Sequence, residues 1–146
     1  MPSIQTSYSE NIRASVPGHI PDMTHADVVS RTVESAAGLG FGLPVFQGTA
    51  DKAVRVFATG DTAAKFVGVS VLDRSASGPN GFVQFESARI LLNGPISVTA
   101  AVAVKASDPV TVTADGTFSN TGGITIPNAR WDTSAAAGAV ANIFLK

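Results

Sequence analysis

Two histidines, His19 and His25, lie six residues apart with Asp22 and Asp27 close by. Imidazole and carboxylate together form a donor set that can hold a divalent metal. The spacing matches no zinc motif, and Pro17 and Pro21 break the segment that would have to mount these groups. The four therefore read as surface or interface residues, and no metal is assigned. Gly38, Gly40 and Gly42 invite comparison with a nucleotide-binding loop, where glycines let backbone amides approach a pyrophosphate. The sixth position of that fingerprint is Leu43, and Pro44 follows at once, so no helix starts there to face a phosphate. These glycines read as turn and close-approach positions, and no cofactor is expected.

Nucleophilic chemistry fares no better. Serines are frequent, but there is no G-x-S-x-G elbow, and both histidines sit in a proline-bearing stretch, a poor mount for a general base. With no cysteine, thiolate nucleophiles, thiolate metal sites and disulfides are all excluded. A glycosidase would need two acids on a firm scaffold. Asp51, Asp61, Asp73, Glu86, Asp108, Asp115 and Asp132 mostly fall where turns or strand ends are expected, and turn chemistry accounts for them. Asp61 reads as the N-cap of a single turn near 61–65. No catalytic residues are assigned. The single tryptophan, Trp131, reads as a core anchor first and an interface anchor second, ahead of any ligand platform.

Composition narrows the partners. Lys and Arg number 10 against 11 Asp and Glu, a formal net charge of −1, whereas a nucleic-acid binder carries a basic excess. No direct nucleic-acid partner is expected. Apolar runs long enough to span a membrane are absent. The opening MPSIQTSYSENIRASVPGHIPDM has no basic region followed by an apolar one, so the expectation is synthesis in a cytoplasm without a signal peptide. Only 14% of the 146 residues are charged while 45% are hydrophobic, many of them small. A surface of that kind suits being covered by neighbours.

The elements that must position these residues fall into two parts. Residues 1–27 show no sustained periodicity and contain Pro2, Pro17 and Pro21. Proline removes a donor and fixes φ, so this part reads as an extended arm with at most one short helix. An isolated arm loses more conformational entropy on ordering than it regains, so it needs a surface to lie against. Its apolar residues Ile4, Tyr8, Ile12, Val16 and Ile20, with Pro17 and Pro21, are the candidate contact residues, together with Trp131.

Residues 28–146 read as one all-β body, a barrel or jelly-roll-like sandwich. KAVRVFA (52–58), KFVGVSVL (65–72) and residues 82–92 read as strands, with Val54 and Val56 on one face and Arg55 and Phe57 on the other. Residues 96–104 alternate apolar and small or polar positions over the length of a long strand with one buried face. Residues 110–114 run into Asp115-Gly116, a pair that favours a type I′ hairpin turn. Strands at 124–126, 129–133 and 140–145 complete the set. Val28, Val29 and Val33 suit helix or strand equally.

Several segments together resemble the bacteriophage structural cement proteins, which bind assembled heads. They are NIRASVPGHIPDM, VVSRTVESAAGLGFGLPVFQG, AAKFVGVSVLDRS, ISVTAAVAVKASDPVTVTADGTFSN and IPNARWDTSAAAGAVANIFLK, in order along nearly the whole chain. The resemblance implies an all-β barrel or jelly-roll-like body and a strand at Val28 to Ser35. It implies a non-enzymatic protein on the capsid exterior that bridges copies of the major capsid protein; self-association as a dimer or trimer is a separate expectation for the β body. Two alternatives share the β architecture. A head-fibre base or tail component would carry longer repetitive segments, and a carbohydrate-binding sandwich would carry more than 7% aromatic residues.

Overall fold

The computed structural model describes residues 16–146. Ile4, Tyr8 and Ile12 lie outside the described residues. Among the described residues eleven strands carry the fold: β1 (Asp27–Val33), β2 (Leu39–Gly40), β3 (Pro44–Gln47), β4 (Ala53–Arg55), β5 (Phe66–Ser70), β6 (Gly81–Phe82), β7 (Ser87–Thr99), β8 (Pro109–Val112), β9 (Phe118–Ser119), β10 (Ile124–Trp131) and β11 (Val140–Leu145). A 3₁₀ turn at Ala63–Lys65 is the one helical element among the described residues. The ambiguous valines at 28, 29 and 33 are strand residues.

β7 organises the molecule. Its first half pairs with β1 on one side and β5 on the other, and β5, β3, β4 and β1 complete a ring, β1-β4-β3-β5-β7. Closure of five strands leaves this barrel no edge. β1 joins β4 in parallel, and the other pairings of the ring are antiparallel. Val33, Val45, Val54, Ala88 and Ile90 form one apolar cluster, joined by Leu39 and Phe82 from the short β2–β6 pair. β-branched residues at these positions fit the pleat and fill a narrow barrel.

At Asn93-Gly94-Pro95, β7 passes from the barrel into a second sheet, β7-β11-β10-β8-β9. Proline cannot donate to a ladder, which suits it to this crossing point. The second sheet curls back on itself: Ala100, just past β7, bridges Phe118 in β9. Beneath it lies the larger core, built around Trp131, Phe46, Phe118, Leu91, Ile96 and Ile143. The architecture is thus all-β and, of the two expected forms, a barrel, extended by a curled sheet.

Four local expectations are corrected. KAVRVFA is a strand only at Ala53–Arg55. Arg55 is then gripped by Asp61, the chain turns, and Phe57 packs edge-on against Phe46 while Val56 is exposed. Asp61 is therefore not a helix cap; the turn is preceded by Thr62, which makes no side-chain capping bond. The alternation at 96–104 outlasts its strand, which ends at Thr99, because residues 101–103 are exposed and no layer covers either face. The turn at Asp115-Gly116 is not type I′, since Asp115 is not among the residues with positive φ. Gly116 alone is left-handed at φ +75°, its amide donates to Thr113 O, and Thr113 N donates to Thr117 O, a three-residue hairpin loop.

Candidate interaction surface

The part of the arm that is described does not stand clear of the body. Gly18 N donates to Ser97 O at 2.7 Å, Ser97 N donates to His19 O at 2.9 Å, and Leu72 N donates to Gly18 O at 2.8 Å. Residues 18–19 thus occupy the side of β7 that β11 leaves free in the second sheet. Glycine suits this place because φ is +86° and a Cβ would sit 2.8 Å from Leu72 N. Pro17 and Pro21 are half-buried, and Ile20 packs against the larger core. Val16, where the described chain begins, is 53% exposed. Beside it runs a shallow groove lined by Pro17, Phe41, Leu43, Thr99, Ala101 and Phe118.

The candidate contact residues therefore separate. Pro17, Ile20 and Pro21 lie against the chain's own body, and of the described arm candidates Val16 is the one with an open apolar side chain. Trp131, the other candidate, is fully buried and donates its indole N–H to Ser119 O at 3.1 Å. Its role is to tie β10 to β9, and its position removes it from any outer contact. The alternation of β10 ends on this inward residue, so core was the better of the two readings.

Of the four imidazole and carboxylate groups in the arm, His25 and Asp27 form a pair. His25 Nε2 meets Asp27 Oδ1 at 2.7 Å, and Asn93 donates to Asp27 Oδ2 at 2.9 Å. Asn93 first, then His25, hold the Asp27 carboxyl below its ordinary range. Among the described residues, no three His, Asp or Glu side chains gather as a metal site. Gly38 and Gly42 flank β2 and Gly40 ends it, all ahead of β3; Gly40 pairs with Gly81 and Gly42 N donates to Ser70 O.

A second apolar feature was not legible beforehand. Phe85 is 75% exposed at φ +67°, with Val83 beside it 43% exposed. The loop holding them is fastened by Glu86, whose carboxylate accepts Ser77 N at 2.9 Å, Ser77 Oγ at 3.1 Å and Val83 N at 2.9 Å. These bonds, Val83's first, hold the Glu86 carboxyl below its ordinary range. Residues 82–92 read as one strand, which hid the break between Phe82 and Ser87. Phe82 turns inward and is buried, and the apolar pair at 83 and 85 faces out.

Residues 4–146 match the family described as structural cement protein (E217 gp24/Pam3 gp6). The chain belongs to the phage structural cement proteins. As a cement protein it has a structural role on the phage capsid and is a component of the virion. The resemblance carried by the arm, the glycine-punctuated stretch and the β segments is therefore shown over nearly the whole chain. A chain in the capsid of Myoviridae phage XM1 shares the fold, with a TM-score of 0.69 and 14% identity over 99% of this chain and 98% of that one. The N base of head fiber gp8.5 in bacteriophage phi29 matches at 12% identity over 84% of this chain and 95% of that one, with a TM-score of 0.47. No curated protein matches the sequence.

Proposed function

We propose that this cement protein, made in the host cytoplasm, binds the outer surface of an assembled phage head and bridges subunits of the major capsid protein. It acts by contact and not by bond-making. Family membership supports the capsid as partner. The observation that carries the bridging mode is the docking of residues 17–20 on β7 and Leu72. That docking sets a fixed point of departure at Val16, so the preceding residues start from a defined place on a rigid body. Reach toward a neighbour is assigned to residues 3–15, within the 1–27 arm. Extended segments gain affinity by adding main-chain hydrogen bonds to a partner's sheet edge, with little demand on side-chain identity.

Self-association into a dimer or trimer completes the reading. Several weak contacts from one oligomer act at high effective concentration and raise avidity by about 10²–10⁴. The shell is then held closed against outward pressure by many such clamps. Co-sedimentation with mature heads tests the arm: a chain lacking residues 1–14 keeps Pro17 to Ile20 and hence the body. Weakened binding by this truncation is expected, and binding equal to the full chain would remove the arm's part.

A further inference from the structure

Phe85 is unfavourable to the isolated chain in two respects at once. Its ring is 75% exposed, and its backbone lies at φ +67°, where a side chain's Cβ crowds the neighbouring carbonyl. Glycine would take the same backbone angle without strain, so the turn does not call for a phenyl ring. Nor does the core. Phe85 belongs to neither apolar cluster and to none of the aromatic pairs Phe41–Phe82, Phe46–Phe57 and Phe46–Phe66.

The surroundings hold the ring out. Phe85 N donates to Val33 O at 2.8 Å, and Val33 N donates to Glu86 O at 3.0 Å, so both neighbours of the turn are tied to the end of β1. Gln84 Nε2 reaches Glu34 O at 3.1 Å, and the Glu86 carboxylate fastens Ser77 and Val83. An aromatic ring on a backbone fixed this way loses little freedom when it is buried by a partner, and such aromatic anchors carry a large share of binding energy.

We propose that Phe85 is a pre-set anchor that inserts into an apolar cleft on the assembled phage shell. This deepens the reading of the chain as a capsid binder and rests on it. The size of the feature argues for the shell over a second copy of this chain. One phenyl ring with part of Val83 offers about 150–250 Å², far below the roughly 800 Å² per partner of a stable dimer. A contact this small suits one point of a multi-point grip. Its position suits a bridge as well. Phe85 precedes β7 at Ser87, and the arm docks at Ser97, ten residues along the same strand. At about 3.3 Å per residue the two zones lie up to roughly 33 Å apart, enough to meet different shell subunits.

The test uses the full chain and heads that lack it, with wild type, F85A, F85G and F85L compared by co-sedimentation, light scattering and thermal unfolding. F85A and F85G are expected to stay folded and to bind at least about tenfold more weakly, with F85L within about threefold of wild type. F85G removes the strain while removing the ring, so its loss of binding assigns the effect to the ring. Wild-type binding matched by F85A and F85G overturns the anchor and leaves the capsid-binding reading standing. A wild type that ignores heads defeats that reading itself. A wild-type oligomer that falls apart in F85A makes a second copy the occupant and overturns the shell assignment.

Discussion

The Asp61 carboxylate grips the Arg55 guanidinium through two bonds of 2.7 Å, with the Asp61 side chain 1% exposed and that of Arg55 23% exposed. A third bond, from Ala58 N at 2.8 Å, closes the loop that follows β4. This fork explains why β4 stops after three residues: the arginine side chain turns to its partner, and the backbone follows.

Breaking the fork leaves an uncompensated charge against the body. D61A is expected to lower unfolding free energy by about 2–4 kcal/mol, because the guanidinium and the Ala58 amide both lose their acceptor. Urea denaturation read by Trp131 fluorescence measures it. A loss below about 0.5 kcal/mol would show that the pair behaves like an exposed one.

Acid should act in a defined direction. Arg55 first, then Ala58, hold the Asp61 carboxyl below its ordinary value of 3.8. Hydrogen bonds from Asn93, Ser75, Val83 and Asn120 do the same for Asp27, Asp73, Glu86 and Asp108. In each case the unfolded state takes up protons before the folded state does, so stability falls as pH falls. The contribution is fully present above the unfolded values and is lost as pH drops through the depressed folded ones. Urea midpoints should hold steady down to about pH 5 and decline steeply below about pH 4. D61N should flatten part of that decline. A midpoint that rises on acidification contradicts the sign.

Trp131 is the one tryptophan and is fully buried, so native emission should be blue-shifted and move to the red in a single unfolding transition. W131F leaves Ser119 O without its donor and opens space in the core, at an expected cost of about 2–3 kcal/mol. A variant as stable as wild type would mean that β9 and β10 are held together some other way.

G18A places a methyl group against Leu72 N at a left-handed φ. Amide exchange at residue 18, Leu72 and Ser97 should quicken by at least about tenfold, while amides of the barrel stay protected. Unchanged protection at those three positions would show that the arm docks without the geometry described.

Much of the fold was legible because it is written in alternation. β5 and β8 fall where β-branched residues recur with period two, and the absence of any strand–helix–strand pattern pointed to an all-β body. Where alternation misled, tertiary cover decided. Ala101, Val102 and Ala103 keep the rhythm of β7 but have no layer over them, and Phe85 keeps the rhythm of a strand that has already stopped. Closure of the β1-β4-β3-β5-β7 ring depends on which strands meet across long separations, and local periodicity does not encode that. The candidate contact surface was legible only in part. Val16 is exposed and Trp131 is buried, in line with its first reading as a core anchor, whereas the apolar tip at Phe85 depends on a positive φ that residue types alone do not announce.

The most direct measurement mixes the purified full-length chain with mature heads that lack it and follows binding and head rupture under osmotic shock or heating. Saturable binding to the outside of the shell, with heads that then rupture at a higher temperature or a stronger shock, is the predicted result. Heads that bind none of the protein, or that bind it and rupture unchanged, would contradict it.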